Sequence, residues 1–463
     1  MSLLRSLSIE IIIGISVFLT RLPWISNGLG MDSDGDRVLN AAINLARTGV
    51  YNPSRFPAYP LPEYVDGLLV YFDLSSPFWL NLPVALLSGV CSGVIYYWFK
   101  SFSPIKGALI ALAFAFTPAV YLASTGPLDY LYGITFITLS LAVPRRYVIQ
   151  KGVFLGLAAS SRLSYVFGVV PVVLLFLDKL SWENVKANSK NMVLICLVSG
   201  AVTILFELPL YVHYKLAWLH FEDDFDLKET IQLLVGNTTF RMFGVLGSVC
   251  VYALIAAAVY NFKKNRELFK QPVFRPLLVM AVIYFLVFLR LPHEAAYLMP
   301  VLLPLYAFLV LSLPKYYSFA LIFCLAVSNL LGSVVKDDIG GVRLLWKGPL
   351  LLTKAKEDQW ACIDHLARDF MSKQDANVYL IGGTTLCPKA RRWGLDAASR
   401  VVEFVKKTPE GVLTAAHDNT ALPANARFYL LDVWIRQQQH HWKFTSDFSY
   451  ELLHTVETCG RPD

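Results

Sequence analysis

The sequence predicts a multi-pass α-helical membrane protein that carries a small α/β domain at its C-terminal end. Three observations lead there. Hydrophobic residues make up 56% of the 463 positions and charged residues only 16%, against roughly a quarter charged in a soluble chain. Apolar stretches approaching the roughly 20 residues that a transmembrane helix needs recur from Ile9 to Val335 with short polar breaks. From residue 336 onward the chain becomes charged, rich in Gln, Asn and His, and holds no apolar run long enough to span. The expected domains are therefore a membrane unit over 1–335 and a soluble unit over 336–463.

Span one, about 9–25, follows Arg5 and leads to a loop over about 26–74. No small-residue cleavage site ends it before Arg21, so it reads as a retained span and not as a signal peptide. Span two, about 75–99, returns to Lys100 and Lys106; span three, about 107–123, leads out to the turn Ser124–Asp129, and span four comes back to Arg145, Arg146 and Lys151. Basic loops face the cytoplasm, which places the N-terminus inside and the 26–74 loop outside.

The stretch 152–177 is flanked by basic residues on both sides, which a single span does not allow. Its break at Ser160-Ser161-Arg162 predicts two half-helices in a hairpin with Arg162 near the tip, tolerated where it is buried in protein or lines a wet cavity. Residues 191–213 cross outward to a second acidic loop, 220–236. Residues 240–262 return to Lys263, Lys264, Arg266 and Lys270. Residues 277–291 cross outward to Pro292-His293-Glu294, 297–313 return to Lys315, and 316–335 cross outward a last time. That is nine spans plus the hairpin, with the C-terminal unit outside.

In that unit Trp360, Ile363, Leu366 and Ala367 repeat at helical spacing, while Val378–Gly383 and Phe428–Leu431 read as buried strands. The Gly382-Gly383 pair lacks the GxGxxG spacing of a phosphate-binding turn and reads as a plain strand-to-loop turn.

The net charge of +7 falls at the cytoplasmic loops, so it speaks for membrane orientation and not for nucleic acid. None of the seven cysteines shows CxxC spacing. Cys91, Cys196, Cys250 and Cys324 lie in apolar segments as small hydrophobes, whereas Cys362, Cys387 and Cys459 allow at most one disulfide in an extracytoplasmic tail.

The candidate site begins with the first external loop, where Asp32, Asp34 and Asp36 alternate and Glu63, Asp66 and Asp73 follow. An ionisable group at membrane depth is costly and marks function by default. Asp129, Arg162 and the turn Arg290–Tyr297 with His293 qualify on the same ground, and the topology turns all of them toward the external surface. The bland alternatives are a solvated acidic loop, an interhelix ion pair at Arg162, a snorkelling Arg290 and an exposed turn at His293. A cavity with carboxylates on one wall and Arg or His on another suits deprotonation of an acceptor hydroxyl while a phosphate departs. Outside the cytoplasm there are no nucleotide sugars, so the donor would ride on a membrane lipid, a polyprenyl phosphate. Oxygen ligands at Asp32, Asp34 and Asp36 would also suit Mg²⁺ or Mn²⁺, although three acids alone are a weak metal signal and no other cofactor is expected.

The stretch Asp34-Gly-Asp-Arg-Val-Leu-Asn-Ala-Ala-Ile-Asn-Leu-Ala-Arg-Thr-Gly-Val-Tyr51 resembles the first-loop motif of membrane GT-C glycosyltransferases, the group that includes protein O-mannosyltransferases and lipid A aminoarabinose transferases. The resemblance continues in order through Tyr121–Asp129, Gly152–Arg162 and Arg290–Pro300. It implies a GT-C-like membrane domain in which Asp34 takes the place of the catalytic Asp, Asp129, the second expected catalytic residue, that of the second-loop acidic residue, and Arg162 that of a basic residue after a Gly-rich half-helix. Asp32, Asp36, Glu63, Arg290, His293 and Tyr297 join Arg162 as expected substrate-binding positions. Where many relatives have Asp-Glu this chain has Asp34-Gly35, so the partner acid falls to Asp32, Asp36 or Glu63. The WWDYG signature of oligosaccharyltransferases is absent, which argues against en bloc transfer to asparagine.

The resemblance thus implies an inverting hexosyl- or mannosyltransferase of a bacterial inner membrane. It would move a sugar from a polyprenyl-phosphate donor to an extracytoplasmic hydroxyl on lipid, glycan or protein. Two other classes are a transporter or flippase of lipid-linked sugars, whose internal repeat is not visible, and a non-catalytic scaffold.

Overall fold

The computed structural model describes residues 2–30, 33–177, 181–215, 227–261, 266–292, 294–336, 342–374, 378–382, 401–407, 412–416, 427–431, 443–444, 450–453 and 459. The chain is a multi-pass helical membrane protein with a small sheet at its C-terminal end. Helix α1 (Ser2–Arg21) is followed by two loop helices, α2 (Ser33–Thr48) and α3 (Pro60–Tyr71). Then come α4 (Pro77–Phe99), α5 (Pro104–Phe116), α6 (Pro118–Ala123), α7 (Tyr130–Ala142) and α8 (Val148–Ser161). A 3₁₀ turn (Leu163–Gly168), α9 (Val169–Leu174), α10 (Trp182–Tyr214), α11 (Leu227–Thr238), α12 (Phe240–Tyr260), α13 (Phe274–Arg290), α14 (Met299–Ser312) and α15 (Lys315–Ser328) complete the membrane part.

Proline punctuates these helices. It stands in the first two positions of α3, α4, α5, α6 and α14, where its missing N–H would lack a partner in any case. The same chemistry splits the expected third span. Pro118 ends α5 and starts α6, and the Thr117 hydroxyl at the break bonds Ala113 O at 2.8 Å and lies 2.6 Å from the Tyr306 hydroxyl. Such breaks leave four described helices long and apolar enough to cross a membrane, at Pro77–Phe99, Trp182–Tyr214, Phe240–Tyr260 and Ala295–Ser312, beside five shorter apolar ones. Helix α1 crosses α4 at glycine: a Cβ on Gly89 would stand 2.5 Å from Gly14 O, so only glycine lets the two backbones meet.

The hairpin expected around Arg162 follows from glycine contacts as well. A Cβ on Gly152 would meet Val198, and one on Gly156, a turn later, would meet Val202, also a turn later. Helices α8 and α10 therefore run in the same direction, and residues 163–181 must return the chain between them. The returning half is a 3₁₀ turn plus the short α9, and it ends with Leu177 O bonded by Arg275. The membrane core is one cluster that includes Phe99, Phe114, Ile137, Leu155, Tyr284 and Tyr306, all essentially inaccessible.

The last span is shorter than expected. Helix α15 stops at Ser328, and Leu331–Lys336 is strand β1, paired antiparallel with β2 (Val342–Lys347). The helical part of that expected span thus ends at Ser328, and a strand fills its last residues. Leu330-Leu-Gly-Ser-Val-Val335 is as apolar as a helix end, and hydropathy does not separate a short apolar strand from a helix. Gly332 at φ 77° and the Asn329 side chain, bonded to Phe116 O and Leu325 O, end the helix before it.

Helix α16 (Pro349–Ser372) follows, burying Ile363, Ala367 and Met371 at helical spacing. The six-stranded sheet comprises β3 (Val378–Gly382), β4 (Val401–Lys407), β5 (Val412–Ala416), β6 (Arg427–Leu431), β7 (Lys443–Phe444) and β8 (Tyr450–Leu453), in the order β7-β5-β4-β3-β6-β8. The two strands expected from sequence, β3 and β6, are parallel neighbours with Tyr379 opposite Phe428. Gly383 and Cys387 lie outside the described residues.

Cys362 of α16 is bonded to Cys459, 97 residues on, which ties the chain end back to the helix. Purified protein alkylated without reductant should yield the Cys362–Cys459 cross-linked peptide by mass spectrometry. Recovery of both cysteines as alkylated thiols would contradict the pairing.

Candidate active site

The loop between α1 and α4 is built to return over its own start. The Asn81 amide donates to Ile25 O (2.9 Å) and Gly28 O (2.7 Å), fixing the chain as it leaves α1. Helix α2 then begins at Ser33 and buries Val38, Leu39, Ala42 and Ile43. It ends at Gly49, whose φ of 68° is readily reached only without a Cβ. The proline-rich segment 50–59 runs back, clasped between α3 and the C-terminal end of α10. The Tyr214 hydroxyl bonds Asn52 Oδ1 at 2.7 Å, Phe56 meets the Tyr214 ring edge-on, and Tyr51 packs on Tyr64.

This fold-back delivers Arg55 between two carboxylates. Arg55 Nη1 meets Asp34 Oδ2, and Nη2 donates to Asp129 Oδ1 at 3.1 Å. Asp129 Oδ2 accepts from Arg162 Nη1 at 2.6 Å, and Asp34 Oδ1 from Arg37 Nη1 at 3.4 Å. The result is an alternating row, Arg37, Asp34, Arg55, Asp129, Arg162. It runs from the surface inward: the Arg37 side chain is 45% exposed, Asp34 and Arg55 are 15% exposed each, and Asp129 is 3% exposed. Three guanidinium groups against two carboxylates leave the row with one positive charge, which favours an anion beside it.

Local structure explains both inner members. Helix α8 ends where the Ser160 and Ser161 hydroxyls bond back to Gly156 O and Leu157 O, a pattern that competes with helix continuation. Arg162 is then extended (φ −161°, ψ 121°). Asp129 precedes the first residue of α7 but gives its oxygens to the two arginines instead of capping the helix. Aromatic faces close the inner end. Arg162 lies 4.1 Å from the Tyr297 ring centroid, 4.5 Å from Tyr130 and 5.2 Å from Tyr59, and Arg55 lies 4.5 Å from Tyr59. Ring faces attract cations and here orient the guanidinium groups. The Tyr130 hydroxyl donates to Glu294 at 2.9 Å.

Of the residues singled out from sequence, the structure gathers Asp34, Asp129, Arg162 and Tyr297. Asp36 is half-buried and stands about 200° around α2 from Asp34. Glu63 is 1% exposed and bonded within its own loop. Arg290 is exposed at the end of α13 and takes no part in the row. Asp32 and His293 lie outside the described residues. Of the three candidate metal ligands, Asp32 is not among the described residues, Asp36 points away from Asp34, and each oxygen of Asp34 is engaged by a guanidinium. Among the described residues no three His, Cys, Asp or Glu side chains are grouped to hold an ion.

Sequence reading missed Arg55, Tyr59 and Tyr130. A lone Arg among Tyr51, Phe56 and Tyr59 in a proline-rich loop was the available signal for the first two, and adjacency to Asp129 for the third.

No protein-family model matches the chain, and no curated protein matches it. Among solved structures it is similar to ArnT from Cupriavidus metallidurans in the apo state, at 13% identity and TM-score 0.46, covering 81% of this chain and 67% of that one. It is similar to the same protein bound to undecaprenyl phosphate, at 15% identity and TM-score 0.43, covering 80% and 66%. A third similar structure is the archaeal oligosaccharyltransferase AglB from Archaeoglobus fulgidus in complex with an inhibitory peptide and a dolichol-phosphate, at 13% identity and TM-score 0.46, covering 95% and 63%. The chain spans about two thirds of the length of these structures.

Proposed function

We propose that this chain transfers a sugar from a polyprenyl-phosphate donor to an acceptor hydroxyl outside the cytoplasm, with the carboxylate and guanidinium row as its active site. The observation that carries the reading is the meeting of Asp34, Arg55, Asp129 and Arg162, which come from distant parts of the sequence. It supplies a partly accessible carboxylate next to positive charge, under ring faces.

In the reaction the acceptor oxygen attacks the anomeric carbon and Asp34 takes its proton. The bond from that carbon to the phosphate oxygen breaks, and polyprenyl phosphate leaves with the bonding electrons. Attack opposite the leaving group inverts the anomeric centre. Arg55 and Arg162 offset the charge that develops on the phosphate, and Arg forks suit phosphate in shape. Asp129, buried behind both, holds the guanidinium groups in place. A hexosyl group, in particular mannosyl, is the sugar to which the sequence resemblance points. The same reading puts the N-terminus in the cytoplasm of a bacterium and the α/β unit outside its inner membrane, a compartment where the Cys362–Cys459 bond persists.

The test is mass spectrometry of lipid-linked glycans and surface polysaccharide from a deletion strain. Loss of one sugar, restored by the wild-type chain but not by Asp34→Asn, is the expected result. Identical glycans in both strains would overturn the reading.

A further inference from the structure

We propose that Glu63 is a positioning residue: its carboxylate holds the 51–54 backbone and so sets where Arg55 stands between Asp34 and Asp129. This rests on the reading of the site under Proposed function. The carboxyl is 1% exposed and is filled from within. The Tyr51 hydroxyl donates to Oε2 at 2.7 Å, the Ser54 hydroxyl to Oε1 at 2.5 Å, and the Ser54 amide reaches both oxygens at 3.3 and 3.4 Å. Ser54 immediately precedes Arg55. A shift at Ser54 is therefore a shift at the base of the guanidinium that bridges the two aspartates.

The Ser54 amide can only donate, and the two hydroxyls point their donors at Glu63, so the ionised carboxylate accepts from all of them at once. The protonated acid must turn one hydroxyl round to serve as its acceptor, which gives up one of the donors that hold the segment. The other titratable groups that face it are Tyr64 and Asp66 on α3, Arg55 on the loop, and Glu207 on α10. Neither oxygen of Glu207 has a hydrogen-bond partner among the described residues, and Asp66 faces Tyr132 of α7.

Burial pushes Glu63 from its ordinary 4.5 up to about 7, against the pull of the Ser54 and Tyr51 hydrogen bonds and of the Arg55 charge. Two opposite trends follow. A carboxyl with a raised folded-state value favours the fold when protonated. Its contribution to stability is fully present below about 4.5 and is lost as pH rises through about 7. The brace on Arg55 is complete above about 7 and weakens below it.

The experiment uses the full chain in detergent, with undecaprenyl methyl phosphodiester as the probe, since a diester keeps one negative charge throughout the range. Wild-type affinity should fall roughly ten-fold from about pH 8 to about pH 6, the size of one charge-assisted hydrogen bond. Glu63→Gln should bind at about pH 8 as weakly as the wild type does at about pH 6, with a flat profile, while its thermal stability falls less steeply than that of the wild type as pH rises. A merely structural role would lower stability and affinity together at both pH values. Wild-type affinity of Glu63→Gln at the higher pH would overturn the proposal.

If that variant does not fold, Ser54→Ala and Tyr51→Phe each remove one donor, and unchanged binding in both overturns it equally. Arg55→Met and Arg162→Met separate the two layers. Should both of these bind like the wild type, it is the reading of the active site that fails; weak binding there with normal binding in Glu63→Gln rejects Glu63 alone.

Discussion

Asp34→Asn should lower sugar transfer by at least about 100-fold, the usual loss when a positioned acid or base is removed, while leaving the protein folded. Helix α2 begins at Ser33, so Asp34 lies in its first turn, where a negative charge interacts with the helix dipole by about 0.3–1 kcal/mol. Its ion pair to Arg37 is partly exposed and such pairs contribute at most about 1 kcal/mol, while Arg55 keeps Asp129 as a second carboxylate. Asn keeps an acceptor oxygen for either guanidinium but takes no proton. Activity and stability should therefore separate sharply. Purified protein assayed with lipid donor and acceptor, alongside its thermal transition, measures both. Transfer within a few-fold of the wild type would show that the base lies elsewhere, with Asp36 the next carboxylate along α2.

Asp129→Ala should have the largest effect on stability, about 3–5 kcal/mol, because removing one member of a buried pair leaves the other charge without compensation. Arg162 is 5% exposed and Asp129 is the carboxylate it is paired with in the described structure. The double variant Asp129→Ala with Arg162→Met should be more stable than Asp129→Ala alone, since the stranded guanidinium goes with its partner. Thermal unfolding of the four proteins in detergent decides this. Additive losses would show that the two side chains do not act as a pair.

Much of the membrane architecture was legible because it follows from local chemistry. Apolar runs, basic loops, prolines at helix starts and the Ser160-Ser161-Arg162 break each act over a few residues. The spans α4 and α12, the half-helix before Arg162 and the neighbouring strands β3 and β6 fall where those signals put them. Less legible were ends set by contacts. Leu331–Val335 reads as the close of a span, yet Gly332 and pairing with β2 make it a strand.

In the site, residue type and loop position alone indicated Asp34, Asp129, Arg162 and Tyr297, because charge at membrane depth is costly wherever it occurs. Which charges meet depended on the path of the chain. Arg55 and Glu63 lie in one loop, and sequence alone suggested only the second as a site residue. Folding places the first in the row and the second behind it, because segment 50–59 is clasped by Tyr64 and Tyr214, side chains that local sequence does not bring together. The amino-acid order thus determined that this is a membrane helix bundle with acidic loops and a few buried charges. Only the packed chain decided which carboxylate each guanidinium meets, since Coulomb pairing depends on distances of a few ångströms between residues as far apart in sequence as Arg55 and Asp129.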